Sequence, residues 1–74
     1  MNPKQKLSHK EKRNIETLIE MAKPCNDIYV DRYALISAAV YVRRLWFQNY
    51  DTEQYDLQIA QLQKMLYVQE MSER

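Results

Sequence analysis

The chain has 74 residues with no glycine, two prolines, one cysteine and one histidine. A lone Cys25 excludes an intrachain disulfide, and Cys25 with His9 falls short of the three or four ligands of a zinc site. The missing glycine removes Gly-rich phosphate loops and the Asn-Gly and Asp-Gly hairpin turns.

Formal net charge is +1, unevenly placed. The first thirteen residues carry +4, from Lys4, Lys6, Lys10, Lys12 and Arg13 against Glu11, and the remainder carries −3. Gln, Glu, Lys, Leu, Met and Ala, all good helix formers, are plentiful, which predicts an all-α, three-helix protein. A chain this short buries only about 60% of the surface its unfolded form exposes. Below about 70–80 residues a single core rarely supplies more than ~3–5 kcal/mol, so disulfides, metals or oligomerisation usually reinforce it. Here oligomerisation is the reinforcement left open. No apolar segment follows the N-terminal charges, and no run of about 18 apolar residues occurs. The expectation is a soluble, cytoplasmic protein with no membrane partner.

Met1 to Leu7 is polar and basic and is predicted to be a flexible arm, followed by a single helical domain over 8–74. Ser8 with Glu11 three residues on forms a capping box that opens the first helix, expected over about 9–22. Ile15, Leu18, Ile19 and Ala22 make one narrow apolar stripe on it. Pro24 ends it, since proline disfavours α geometry at Lys23 and donates no backbone hydrogen bond.

Pro24 to Asp27 is a short connection. The second helix has two possible starts. Asn26 or Asp27 caps it at once, or Ile28-Tyr29-Val30 stays extended and Asp31 is the cap. The early start, giving a helix over about 28–48, is favoured because the apolar stripe continues back through Ile28. On a helical wheel Leu35, Ala38, Ala39, Val42, Leu45 and Trp46 share one face with Ile28. Tyr29, Tyr33, Ile36, Val40 and Phe47 share a second, about 120° round. This apolar arc is nearly twice as wide as a surface helix normally shows.

Gln48 to Thr52 breaks the pattern, and Asp51 with Gln54 suits a cap for a third helix over about 52–71. Tyr55, Ile59, Leu62 and Leu66 form its inward seam at 4, 3, 4 spacing. Leu57, Ala60, Tyr67, Val68 and Met71 lie toward the opposite side.

A three-helix monomer needs about one inward face per helix. The surplus is Tyr29, Tyr33, Ile36, Val40 and Phe47 on the second helix, with Leu57, Val68 and Met71 on the third. Burying one large apolar side chain is worth about 1.5–3 kcal/mol. Leaving all of them in water makes a patch beyond what soluble monomers usually carry. These residues are the predicted interface of a homodimer.

Chemistry has little to draw on. His9 sits in the first helical turn, carboxylates are scattered, and no nucleophile–base pair or metal cluster stands out; the expectation is no enzyme and no cofactor. Arg43 lies between the two apolar faces, where a charge is costly unless paired. Arg43, Arg44, Tyr41 and Tyr50 are the candidate contacts for a partner or anion, since Tyr, Trp and Arg dominate binding hot spots. The expected function is a small protein–protein interaction module, a helical homodimer acting as adaptor, inhibitor or regulator of another protein, in the manner of a phage- or plasmid-type accessory protein. Two alternatives remain. Lys4, Lys6, Lys10, Lys12 and Arg13 form a candidate nucleic-acid arm. A pocket at the dimer interface holding an anionic nucleotide-like ligand, between tyrosines and Arg43, is the other.

Overall fold

The computed structural model describes residues 4–23 and 29–72. Among them are three helices, α1 (His9–Ala22), α2 (Arg32–Phe47) and α3 (Glu53–Ser72), and no strand. The all-α expectation therefore holds.

α1 begins as its sequence predicts. The Ser8 hydroxyl oxygen accepts the Glu11 N–H at 3.2 Å, and the Glu11 carboxylate accepts the Ser8 N–H at 3.4 Å. At the far end Lys23, the residue before Pro24, is extended with φ −67° and ψ 143°. That is the conformation a following proline imposes. The Asp31 N–H then donates to the Ala22 carbonyl at 3.0 Å, setting the start of α2 beside the end of α1.

The early start expected for α2 is corrected. Tyr29 and Val30 are not helical, and Asp31 is the N-cap, its carboxylate accepting the N–H groups of Tyr33 and Ala34 at 3.0 and 3.1 Å. Two forces favour the later start. Asp31 satisfies two orphan donors of the first turn. Val30 also has a different backbone partner: its N–H donates to Gln69 Oε1 at 2.6 Å, and its carbonyl accepts from Gln69 Nε2 at 3.2 Å. A glutamine from α3 thus replaces the helical hydrogen bonds of Val30, whose side chain is buried. Pro24 to Asp27 and Ile28 lie outside the described residues.

α2 ends at Phe47, one residue short of the expected 48, in a turn that normally calls for glycine. Asn49 has φ +71°, its N–H donates to the Trp46 carbonyl at 3.1 Å, and the Tyr50 N–H donates to the Leu45 carbonyl at 3.1 Å. This is a Schellman motif, with asparagine in the left-handed position as the substitute a glycine-free chain can offer. α3 follows at once. Asp51 accepts the Glu53 N–H at 3.2 Å, and the buried Thr52 hydroxyl donates to the Asp56 carboxylate at 3.2 Å. The Asp51 side chain thus caps the first N–H of α3, and the Thr52 hydroxyl ties to a carboxylate one turn on.

The basic N-terminal stretch was expected to be a flexible arm over 1–7. Residues 4–7 instead form a strap against the α2–α3 corner. The Gln5 N–H donates to the Asn49 carbonyl and the Asp51 N–H donates to the Gln5 carbonyl, both at 2.8 Å, an isolated parallel bridge. Leu7, 7% exposed, belongs to the core. A lone leucine in a polar stretch gains by burial what its neighbours have no reason to seek. Met1 to Pro3 lie outside the described residues.

The core is built from Ile15, Ile19 and Ala22 of α1, Leu35, Ala38, Val42 and Leu45 of α2, and Tyr55, Ile59 and Leu62 of α3. Most residues of the inward stripes read from the sequence are used, with Ile28 outside the described residues, and Leu7, Val30 and Ala34 join them. Trp46 is a correction: expected in the core, it is 48% exposed, at the edge of the inward arc of α2. α2 packs on both other helices, while α1 and α3 meet over a small area, bridged by the Tyr55 hydroxyl donating to Glu16 Oε2 at 2.9 Å. The Cα radius of gyration is 13.4 Å, against about 11 Å for a compact chain of this length. An elongated body with its helices side by side leaves each helix an uncovered face.

Candidate interaction surface

The uncovered face of α2 is unusual in what it carries. At about 100° per residue, the buried Ala34, Leu35, Ala38, Val42 and Leu45 centre on one direction, and Tyr33, Ile36, Val40 and Phe47 lie opposite. Tyr33 is 82% exposed and Phe47 73%, with Ile36 and Val40 each about half exposed. α2 thus carries apolar side chains on two opposite sides, and the protomer covers one of them. Tyr33, Ile36, Val40, Arg43 and Phe47 follow one another at spacings of 3, 4, 3 and 4 residues. That is the heptad rhythm by which one helix presents a seam to another.

Alongside this seam runs an open groove of about 340 Å³ between α2 and α3. Its floor includes Ala39, Val42 and Ile59; Arg43 stands on the α2 wall and Asp56 on the α3 wall. Trp46 and Phe47 close one end, their rings meeting edge to face with centroids 5.2 Å apart. The Lys4 ammonium lies 4.2 Å from the Trp46 ring centroid, a cation–π contact. The strap therefore shares a side chain with the groove. This role of Trp46 was not read from the sequence; its position at the margin of the apolar arc was the available signal.

The other predicted residues are dispersed. Arg43 and Arg44 are both exposed, and Arg44 in the last turn of α2 complements the helix dipole. Tyr41 is half-buried and its hydroxyl accepts from Asn14 Nδ2 at 3.1 Å, so it serves the contact between α1 and α2. Tyr50 is half-buried against the core, with its backbone at the Gln5 bridge. Tyr29 is exposed just ahead of α2. Leu57, Val68 and Met71 are exposed along the outer side of α3, with Gln61 and Lys64 interrupting them. They make a thinner stripe on a separate helix, so the structure does not gather all eight interface residues onto one helix face.

The basic residues are likewise not one array. Lys4 rests on Trp46, Lys6 is exposed in the strap, and Lys10, Lys12 and Arg13 fall on different sides of α1 at about 100° per residue. Among the described residues the one salt bridge joins Arg32 and Glu70 at 3.5 Å between largely exposed side chains, a pair of small energetic weight.

No match emerges from known proteins. Neither a protein-family model, nor a curated protein, nor a solved structure is significantly similar to the chain. Function must therefore be argued from the surface itself.

The chemistry available on that surface is modest. Among the described residues no three His, Asp, Glu or Cys side chains are grouped to hold a metal ion, and His9 is exposed in the first turn of α1; Cys25 lies outside them. No helix among them is long and apolar enough to cross a membrane. The perturbed titration is that of Tyr55, pushed up to about 12, first by burial, then by the hydrogen bond to Glu16 and the charge of that carboxylate. Its hydroxyl faces α1 inside the fold, where it ties helices together.

Proposed function

We propose that this protein is a small, non-enzymatic interaction module that works as a helical homodimer and regulates or adapts another protein. The observation that carries this reading is the row Tyr33, Ile36, Val40 and Phe47, left in water on the face of α2 opposite the core. A helix with this much apolar surface on its outer side needs a protein partner. Arg44 beside the row and the α3 stripe of Leu57, Val68 and Met71 remain for a second protein once two copies have joined. Light scattering after gel filtration at micromolar concentration tests the core of the reading. A species of twice 9.0 kDa is expected, and a clean 9.0 kDa species at every concentration refutes it.

A further inference from the structure

We infer that two copies of the chain pair through α2 in antiparallel orientation, with Ile36 of each facing Val40 of the other and Arg43 facing Tyr33. The inference rests on the homodimer reading and specifies its geometry.

Three observations select a second copy as the occupant of this seam. Tyr33, Ile36, Val40, Arg43 and Phe47 keep 3-4-3-4 spacing over nearly the whole of α2, so the seam matches itself turn for turn. Net charge is only +1, so two copies approach without appreciable repulsion. The area is also adequate. Each large aromatic buries about 150–250 Å², so the four Tyr33 and Phe47 rings of a dimer supply roughly two-fifths to three-fifths of the ~1,600 Å² of a standard interface. Ile36, Val40, the stem of Arg43 and the exposed Tyr29 add to it.

Arg43 decides the orientation. It is the one charged member of the seam, and a parallel pair in register would set the two Arg43 guanidinium groups against each other in the middle of an apolar contact. Like charges brought together and desolvated exclude that arrangement. Reversing one helix separates them. With Ile36 opposite Val40, each Arg43 meets Tyr33 of the other copy, an 82%-exposed ring that can take the guanidinium on its face. Phe47 then reaches toward Tyr29, which lies just ahead of the partner's helix. The small Ser37 and Ala39 flank the seam and let the helix axes approach. A single polar residue in a helical seam commonly fixes orientation at a cost in affinity, and Arg43 has that role here.

The test combines mass with a distance. In a Cys25→Ser background, Gln48→Cys places a spin label beyond the seam. Antiparallel pairing puts the two labels about 20 residues of helical rise apart, roughly 30 Å, whereas parallel pairing leaves them near the interaxial spacing of about 10 Å plus the label arms. Val40→Glu is expected to weaken association at least ~30-fold, and Tyr33→Lys, which sets a like charge against Arg43 of the other copy, to weaken it as well without touching the protomer core. Arg43→Leu is expected to tighten the dimer about tenfold and to split the distance distribution into long and short populations. A monomer at all concentrations overturns the homodimer reading itself. A dimer with only a short label distance, or one that withstands Tyr33→Lys, leaves that reading standing and overturns this geometry.

Discussion

Replacing Tyr55 by phenylalanine gives a stability difference that should change sign with pH. The ring is 3% exposed and stays packed in the variant, so the change isolates the hydroxyl and its 2.9 Å bond to Glu16. Glu16 is exposed and regains water when the bond is lost, so the cost at neutral pH is about 1 kcal/mol. For a domain of this size that is a melting temperature lower by about 4–8 °C.

Alkali works the other way. The folded-state pKa of Tyr55 is about 12, against 10.0 for an unperturbed tyrosine. The folded chain therefore holds this proton more tightly than the unfolded chain. The associated stability is fully present below pH 10 and is lost progressively as pH rises from 10 toward 12. Two units correspond to at most about 2–3 kcal/mol, less the part that water around the Glu16 carboxylate screens. Phenylalanine has no proton to lose. The two stabilities should converge above pH 10 and cross near pH 11 by this linkage. Urea midpoints of both proteins, measured at equal concentration from pH 8 to 11, provide the check. A gap that stays constant across that range would refute both the burial and the bond.

Three further substitutions probe the frame. Leu7→Ala should cost about 2–4 kcal/mol in urea unfolding, as a core deletion does, because Leu7 is buried; a flexible arm would give no effect. At Asn49, with φ +71°, glycine should be neutral or slightly stabilising, whereas alanine should lower the melting temperature by several degrees, a loss of roughly 1 kcal/mol. Gln69→Ala removes both partners of the Val30 backbone and should cost about 1–3 kcal/mol, with faster amide exchange at Val30 as its specific signature.

Some of this fold was readable in advance because its causes are local. The start and stop of α1 lie in Ser8, Glu11 and Pro24, all within a few residues of the positions they control. The two faces of α2 and the inward seam of α3 follow from periodicity. The start of α2 was readable only as two alternatives, with Asp31 the less favoured cap, because the choice also depends on Gln69 reaching Val30 from the far end of the chain. The strap escaped for the same reason: nothing near Gln5 announces that its partner is Tyr50. Trp46 shows a third limit. Periodicity fixes the direction of an apolar arc but not which residue at its margin remains in water. The site was legible as a surplus of apolar surface on Tyr33, Ile36, Val40 and Phe47, since counting faces against neighbours needs no coordinates. The nature of a partner is not encoded in that count.

The corner at Asn49 to Asp51 has a kinetic side. Within a few residues it finishes α2, starts α3 and receives the strap through Gln5. The first two events are local and can form as soon as the helices do. Bringing Gln5 to Tyr50 closes a loop that contains all of α1 and α2, so its entropy is lost only after those helices have docked. The strap is thus a late-folding latch. The amides of Gln5 and Asp51, the two donors of the bridge, should exchange with solvent as one unit, in openings that leave the α1–α2 hairpin intact.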